Sequence, residues 1–290
     1  MVIDEISSYK DSPADDVYDR FEETLLAGHP LGRPILGTAA SVKKISAEEL
    51  REFVKERFTP GNMALAVVAD IDENKMEQGV LRLAEKVFDG SWVESEERKL
   101  LPVETPAIFN KTLEKRNHEV NAVIGGLAPS LYDKDQRFAA ILLSNIVGGP
   151  ASNSKLNDLL RERNGWVYGV ETSYTQYSDT GVMAISMGCD RSNLEKCLKG
   201  VDKVISKMRD DLLSDSAVRA AKRQLLGQLA ISSDNGETQC LSMGKSLVSF
   251  GNVSTDNENK EAIEAVSADR IRESARKIFN PETLSTLVYL

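Results

Sequence analysis

The chain has 290 residues, enough at roughly 100–200 residues per domain for two domains that each bury a core. Hydrophobic residues make up 41% and charged ones 28%, and no apolar run approaches the roughly 20 residues of a membrane helix, so no spanning segment is expected. Lys plus Arg number 36 against 45 Asp plus Glu, and the net charge of -9 disfavours nucleic acid and anionic lipid as partners.

Val2, Ile6 and Tyr9 recur at helical spacing and predict a helix from the first residues onward. After Asp11, Ser12 suits an N-cap, Pro13 the first helical position, and Asp15 and Asp16 the positive end of the dipole. A second helix follows, with Val17, Phe21 and Leu25 as its buried stripe. Gly28-His29-Pro30 ends it, and the stretch through Gly32, Pro34 and Gly37 reads as an ordered loop. His29 has no partner at metal-ligand spacing and reads as a structural histidine.

Ser46-Ala47-Glu48-Glu49 is a capping box that opens a helix carrying Leu50, Phe53, Val54 and Phe58. Pro60-Gly61-Asn62 turns the chain, Met63 to Ala69 reads as a buried strand, and Met76, Val80, Leu83 and Val87 stripe the next helix. Asp89 to Pro106 is charged, aperiodic and proline-bearing, the composition of an interdomain linker. The boundaries adopted are 1–90, a linker at 91–108, and 109–290.

The second half opens with a strand around Val120 to Ile124 and a helix with Phe138, Ile141, Leu142 and Ile146, stopped by Gly148-Gly149-Pro150. The two glycines lack a P-loop signature and are read as a helix stop. A short helix with Leu156, Leu159 and Leu160 leads into a hairpin, Val167 to Tyr177 and Val182 to Gly188, around Ser178-Asp179-Thr180-Gly181. Leu194, Leu198, Val201, Ile205, Met208 and Leu212 stripe a long amphipathic helix, and helices follow at about 214–233 and 237–249. Cys189, Cys197 and Cys240 lack C-x-x-C spacing and are odd in number, which excludes a simple disulfide framework or a thiolate zinc knuckle and leaves them as small core residues.

Residues 45–68, ISAEELREFVKERFTPGNMALAVV, reappear at 266–289 as VSADRIRESARKIFNPETLSTLVY, offset by 221 residues with seven of 24 positions identical. On this offset residues 110–221 of the second copy have no upstream counterpart, so the first copy is half present. A full chain is expected to carry roughly 110 further amino-terminal residues.

VIDEISSYKDSPADDVYDRF, GHPLGRPILGT and FTPGNMALAVVAD, followed by GGPASNSKLNDLLRERNGWVYGV and Tyr177-Ser178-Asp179-Thr180-Gly181, resemble the pitrilysin/insulinase-type inverzincin zinc metallopeptidases, in particular the mitochondrial-processing-peptidase-like branch. The resemblance covers almost the whole chain. It implies an α+β fold of two α/β rolls in a clamshell arrangement: 1–90 as the carboxy-terminal half of the first, catalytic roll, and 109–290 as a complete second roll without metal. It implies zinc as the cofactor of the full-length protein, bound by an H-x-x-E-H motif with a distal Glu. These 290 residues contain no such motif, and their only histidines, His29 and His118, cannot form one.

By its place in the motif, Glu5 matches the distal zinc ligand; taken alone, it reads as a solvated helix residue. Arg161 and Tyr168 match the Arg-Tyr pair with which the second roll reaches the substrate near the metal, where cation and phenol stabilise a developing oxyanion. The competing reading has Arg161 offsetting a helix C-terminus and Tyr168 packing in a sheet.

The resemblance implies an endopeptidase acting on flexible peptides, with this chain inactive and zinc-free by itself. Its partners are a peptide substrate and, through the incomplete first roll, a second copy or a catalytic partner. Localisation is left open, because any targeting signal is expected on the upstream segment; bacterial cytoplasm or periplasm is what the resemblance favours. A rival reading is a non-catalytic peptide-binding or scaffold subunit of the same family, and a third a generic α/β interaction module.

Overall fold

The computed structural model describes residues 1–10, 12–87, 99–103, 106–115 and 118–290. The fold is α+β, and its residues gather into two compact units that do not follow chain order. One comprises Met1–Lys43, Leu100–Leu225 and Glu261–Leu290, the other Lys44–Lys99 and Leu226–Lys260.

The helices of the first ninety residues are α1 (Val2–Lys10), α2 (Pro13–Leu25), the single turn α3 (Ala39–Val42), α4 (Ala47–Arg57) and α5 (Glu73–Val87). Then come β1 (Asn110–Leu113), β2 (Val120–Ala128), α6 (Lys134–Gly148), β3 (Val167–Gln176), β4 (Gly181–Cys189) and α7 (Leu194–Asp210). The chain closes with α8 (Asp215–Ser233), α9 (Gly236–Phe250), α10 (Asp256–Glu264), α11 (Ala268–Ile278) and β5 (Ser285–Tyr289). Among the described residues no helix is long and apolar enough to cross a membrane.

The first unit is built on one five-stranded sheet, ordered β1-β5-β2-β4-β3, in which β1 and β5 run parallel and the other pairs antiparallel. β3 and β4 form the expected hairpin, closed by the Tyr177 N–H donating to the Thr180 carbonyl at 2.9 Å. α11 packs against α6, α7 and β2. Val17, Phe21 and Leu25 of α2, with Leu26, bury against Val123, Val182, Ala184, Leu287 and Tyr289 of the sheet. Each large side chain so buried contributes roughly 1.5–3 kcal/mol.

The internal repeat is visible in the local geometry. The Ser46 and Ser267 hydroxyls accept from Glu49 N and Arg270 N at 3.1 and 3.2 Å. The likeness extends upstream of residue 45 at an offset of 223, two residues more: Ser12 and Asn235 sit in extended backbone before α2 and α9, and Gly28 (φ 88°) and Gly251 (φ 71°) follow those helices in the left-handed region. α2 nevertheless packs on the sheet of the second copy, while α9 belongs to the unit that holds first-copy residues 44–99. The two copies exchange this helix.

In the second unit the capping box of α4 forms as expected, with both reciprocal hydrogen bonds. Met63–Ala69 departs from expectation. It forms no regular element and is paired to no strand among the described residues, and Met63, Leu65, Val67 and Val68 are exposed. Apolar content predicts a strand, but burial needs neighbouring strands, and none of the described residues supplies one.

Two further elements, β1 and α10, were not expected: β1 is short and fully exposed, and α10 carries one buried residue, Ile263. The expected linker lies largely outside the described residues; its described parts are anchored by the Leu101 N–H donating to Asp179 Oδ1 at 3.2 Å and the Ala107 N–H to the Leu25 carbonyl at 3.1 Å.

Candidate functional site

The segment after α6 is held by unusually close packing. A Cβ on Gly148 would collide with the Thr172 hydroxyl and backbone nitrogen, so only glycine lets the end of α6 approach β3 this closely. Ser144 Oγ donates to the Thr172 carbonyl at 2.9 Å alongside. Buried Asn157 then donates to Ser154 Oγ at 2.9 Å and to the Gly149 carbonyl at 3.3 Å, binding the Gly-Gly stop to the turn that begins at Asn157 itself.

That turn, Asn157–Glu162, is π-helical, where spacing predicts a short α-helix. The Arg163 N–H reaches the Asp158 carbonyl at 3.0 Å, one residue beyond α-helical reach. Such turns insert an extra residue and occur often at functional sites. Gly165 (φ 59°) ends the turn as its spacing predicts: its N–H donates to the Arg161 carbonyl at 2.9 Å and the Trp166 N–H to the Leu160 carbonyl at 2.8 Å.

Arg161 therefore stands on the widened turn with an exposed side chain and no hydrogen bond or ion pair to its guanidinium among the described residues. Tyr168 lies in β3 at a register shift between Val167 and Gly169, and is 58% exposed. Its hydroxyl donates to Asp190 Oδ1 at 2.7 Å. That hydrogen bond, above all, holds the phenol above its ordinary ionisation range. Asp190 is not singled out by sequence reasoning; the available signal was its place directly after the hairpin strand that faces Tyr168.

Cys189 precedes Asp190 and is paired with Val167. Burial first, and the neighbouring Cys197 next, push its thiol up to about 12, so it is a poor nucleophile. The Cys197 thiol leans on the Trp166 carbonyl at 3.7 Å. Both cysteines are buried core residues that lie against the start of the strand that carries Tyr168.

Glu5 lies exposed on α1 and is not hydrogen-bonded to Arg161 or Tyr168. His29 is structural, as expected: Nδ1 accepts from Leu31 N at 3.2 Å and Nε2 donates to the Leu101 carbonyl at 2.7 Å. A zinc site needs about three protein ligands, and no group of three or more His, Cys, Asp or Glu that could hold a metal exists among the described residues. Glu5 alone does not fit zinc.

A family model described as "Peptidase M16 inactive domain" matches residues 44–225. A protein of Rickettsia felis named "Uncharacterized zinc protease" is 28% identical over 99% of this chain and 68% of its own length. A crystal structure described as a putative M16-like peptidase from Alicyclobacillus acidocaldarius superimposes with a TM-score of 0.86 at 16% identity, over 100% of this chain and 68% of that one. A chain of complex III2 from Candida albicans is similar in fold, with a TM-score of 0.78 and 15% identity over 99% of this chain and 69% of that one.

Proposed function

The chain belongs to the peptidase M16 family, and on that premise we propose that it forms part of a zinc-dependent endopeptidase acting on flexible peptides. In this reading residues 1–90 come from the catalytic roll, 91–108 connect, and 109–290 form the roll that faces the substrate. Glu5 would supply the distal carboxylate to a zinc ion only in a protein that brings the other ligands; by itself it does not hold the metal.

The observation that carries the reading is the presentation of Arg161 and Tyr168. Arg161 lies in the last turn of its segment, where a cation also suits the helix dipole, but its guanidinium is unpartnered among the described residues and the Tyr168 phenol is mostly exposed, so both are open to a ligand. In the bound peptide, the Arg161 fork donates to a main-chain carbonyl oxygen, and the Tyr168 hydroxyl supplies a second donor by turning its one hydrogen from Asp190 to that oxygen. Both act most strongly where negative charge gathers on that oxygen.

A fluorescent, unstructured peptide titrated into this chain tests the reading. Arg161→Ala should weaken binding by about tenfold with an unchanged melting temperature. Equal binding by the variant would remove Arg161 from the site. The chain by itself should neither retain zinc through dialysis nor hydrolyse the peptide; stoichiometric zinc that Glu5→Gln removes would contradict the ligand assignment.

A second reading, a non-catalytic scaffold or peptide-binding subunit, is favoured by two observations: the matching family model is described as an inactive domain, and a chain of complex III2 is similar in fold. Turnover discriminates between the two readings, since under the second a protein completed at its amino terminus would bind peptide without cleaving it.

A further inference from the structure

A cleft of about 160 Å³ opens between α6 and α11, lined by Asp135, Gln136 and Ala139 of one helix and Arg270, Glu273 and Ser274 of the other. All six belong to the first unit. Two contacts join the helices beside it: Arg270 Nη1 donates to the Asp135 carbonyl at 3.3 Å, and Lys277 Nζ to Gln136 Oε1 at 3.2 Å. Ala139 and Ser274 are both small and buried, so the space that larger side chains fill at most helix contacts stays open here.

Ser274 is 4% exposed, and its Oγ has no hydrogen-bond partner among the described residues. It is the one polar member of the buried stripe Ile271, Ser274, Ala275 and Ile278. A serine inside a helix can satisfy itself on the carbonyl four residues back, and this one does not. A buried hydroxyl without a partner lowers stability, so folding gains nothing from it. Helix packing does not call for it either: on the 221-residue offset the first copy has Phe53 at this place.

The walls of the cleft carry uncommitted charge. Beyond its one contact the Arg270 guanidinium makes no hydrogen bond or ion pair among the described residues, and the Asp135 carboxylate accepts none. Glu273 holds Lys277 Nζ at 3.1 Å through Oε1 alone. Because Gln136 Oε1 accepts from Lys277, its amide nitrogen is the donor left over.

Volume and charge together select the ligand. The space equals roughly five waters at about 30 Å³ each, which suits a molecule of about six heavy atoms. It falls well short of the roughly 300 Å³ at which sites for larger ligands begin. A simple anion would meet Asp135 and Glu273, and a simple cation would meet Arg270. A molecule that carries both charges is matched at both ends.

We propose that the cleft between α6 and α11 binds a small zwitterion of the α-amino acid class, with its carboxylate on Arg270 and the Ser274 hydroxyl, its ammonium group on Asp135 and Glu273, and its carbon atoms on Ala139. The Arg270 fork and the carboxylate form charge-assisted hydrogen bonds, and Ser274 gains the partner that the chain by itself denies it. This site is independent of the peptidase reading and of Arg161 and Tyr168.

The probe is L-alanine, titrated into the full 290-residue chain while the backbone amide resonances of Ala139 and Ser274 are followed. Saturable shifts are expected, with a Kd on the order of 1 mM. Propionate, which lacks the ammonium group, and ethylamine, which lacks the carboxylate, should each bind at least about tenfold more weakly. Arg270→Gln and Ser274→Ala should each weaken L-alanine by about tenfold, while Ser274→Ala leaves the melting temperature of the free chain equal or higher. No saturable shift at about 100 mM L-alanine, a hundredfold above that Kd, would mean that the cleft holds water only and would overturn the proposal. Equal binding of propionate or ethylamine, indifference of either variant, or a lower melting temperature for free Ser274→Ala would overturn it as well, the last because the hydroxyl would already have a partner in the protein.

Discussion

The Tyr177 hydroxyl donates to Glu22 Oε2 at 2.7 Å, joining the β3–β4 hairpin to α2 between residues 155 positions apart. Tyr18, one turn earlier on α2, shares its hydroxyl hydrogen with Ser173 Oγ at 2.9 Å. The exchanged helix is thus fastened to the sheet by polar contacts at the margin of the Phe21 core.

Burial, more than any neighbouring charge, holds the Glu22 carboxyl above the usual carboxylate range. The folded chain therefore keeps the proton to higher pH than the unfolded chain does. Glu22 stabilises the fold most below its unfolded value, and that contribution is lost as pH rises through the folded value. Glu22→Gln should show a smaller fall in melting temperature than the parent as pH rises above the ordinary carboxylate range. Identical pH profiles would show that Glu22 is solvated.

Gly148→Ala places a methyl group against the Thr172 hydroxyl and backbone. Overpacking of this kind costs about 1–3 kcal/mol, and here it forces α6 away from β3. Chemical denaturation should register that loss. Gly227→Ala in α8, where a Cβ meets nothing within 4 Å, should be neutral or slightly stabilising.

Asp190→Ala removes the acceptor whose hydrogen bond, more than any other cause, resists ionisation of Tyr168. The Tyr168 titration should move down toward the ordinary phenol value of 10.0. Ultraviolet difference titration, with Tyr168→Phe identifying the signal, measures the shift. An unmoved titration would break the assignment of Asp190 as the group that aims this phenol.

Much of this was legible in residue order. The α2 stripe, the Ser46 capping box, the Gly165 stop and the Tyr177–Gly181 hairpin are local patterns, set by spacing within a few residues, and the structure carries each of them. The resemblance in sequence led to the same family as the matching family model. What spacing did not carry is pairing across the chain. Met63–Ala69 has the composition of a strand, but only a neighbour makes it one; α2 has a buried stripe, but nothing in its periodicity says that the sheet it covers belongs to the other copy. The π-helical turn under Arg161 begins at Asn157, whose amide reaches Ser154 Oγ and the Gly149 and Val170 carbonyls, contacts invisible in the L-R-E run.

The central proposal is that Arg161 and Tyr168 act on the peptide although no group of three or more possible metal ligands lies among the described residues. Its most direct measurement uses a protein in which an H-x-x-E-H-bearing amino-terminal segment precedes this chain, with turnover of a flexible peptide, zinc content and melting temperature read on the same samples. Arg161→Ala and Tyr168→Phe should each lower kcat by at least about tenfold, with zinc content and melting temperature unchanged. Normal turnover per zinc-loaded molecule in both variants, or a loss of turnover that merely follows a loss of stability, would contradict it.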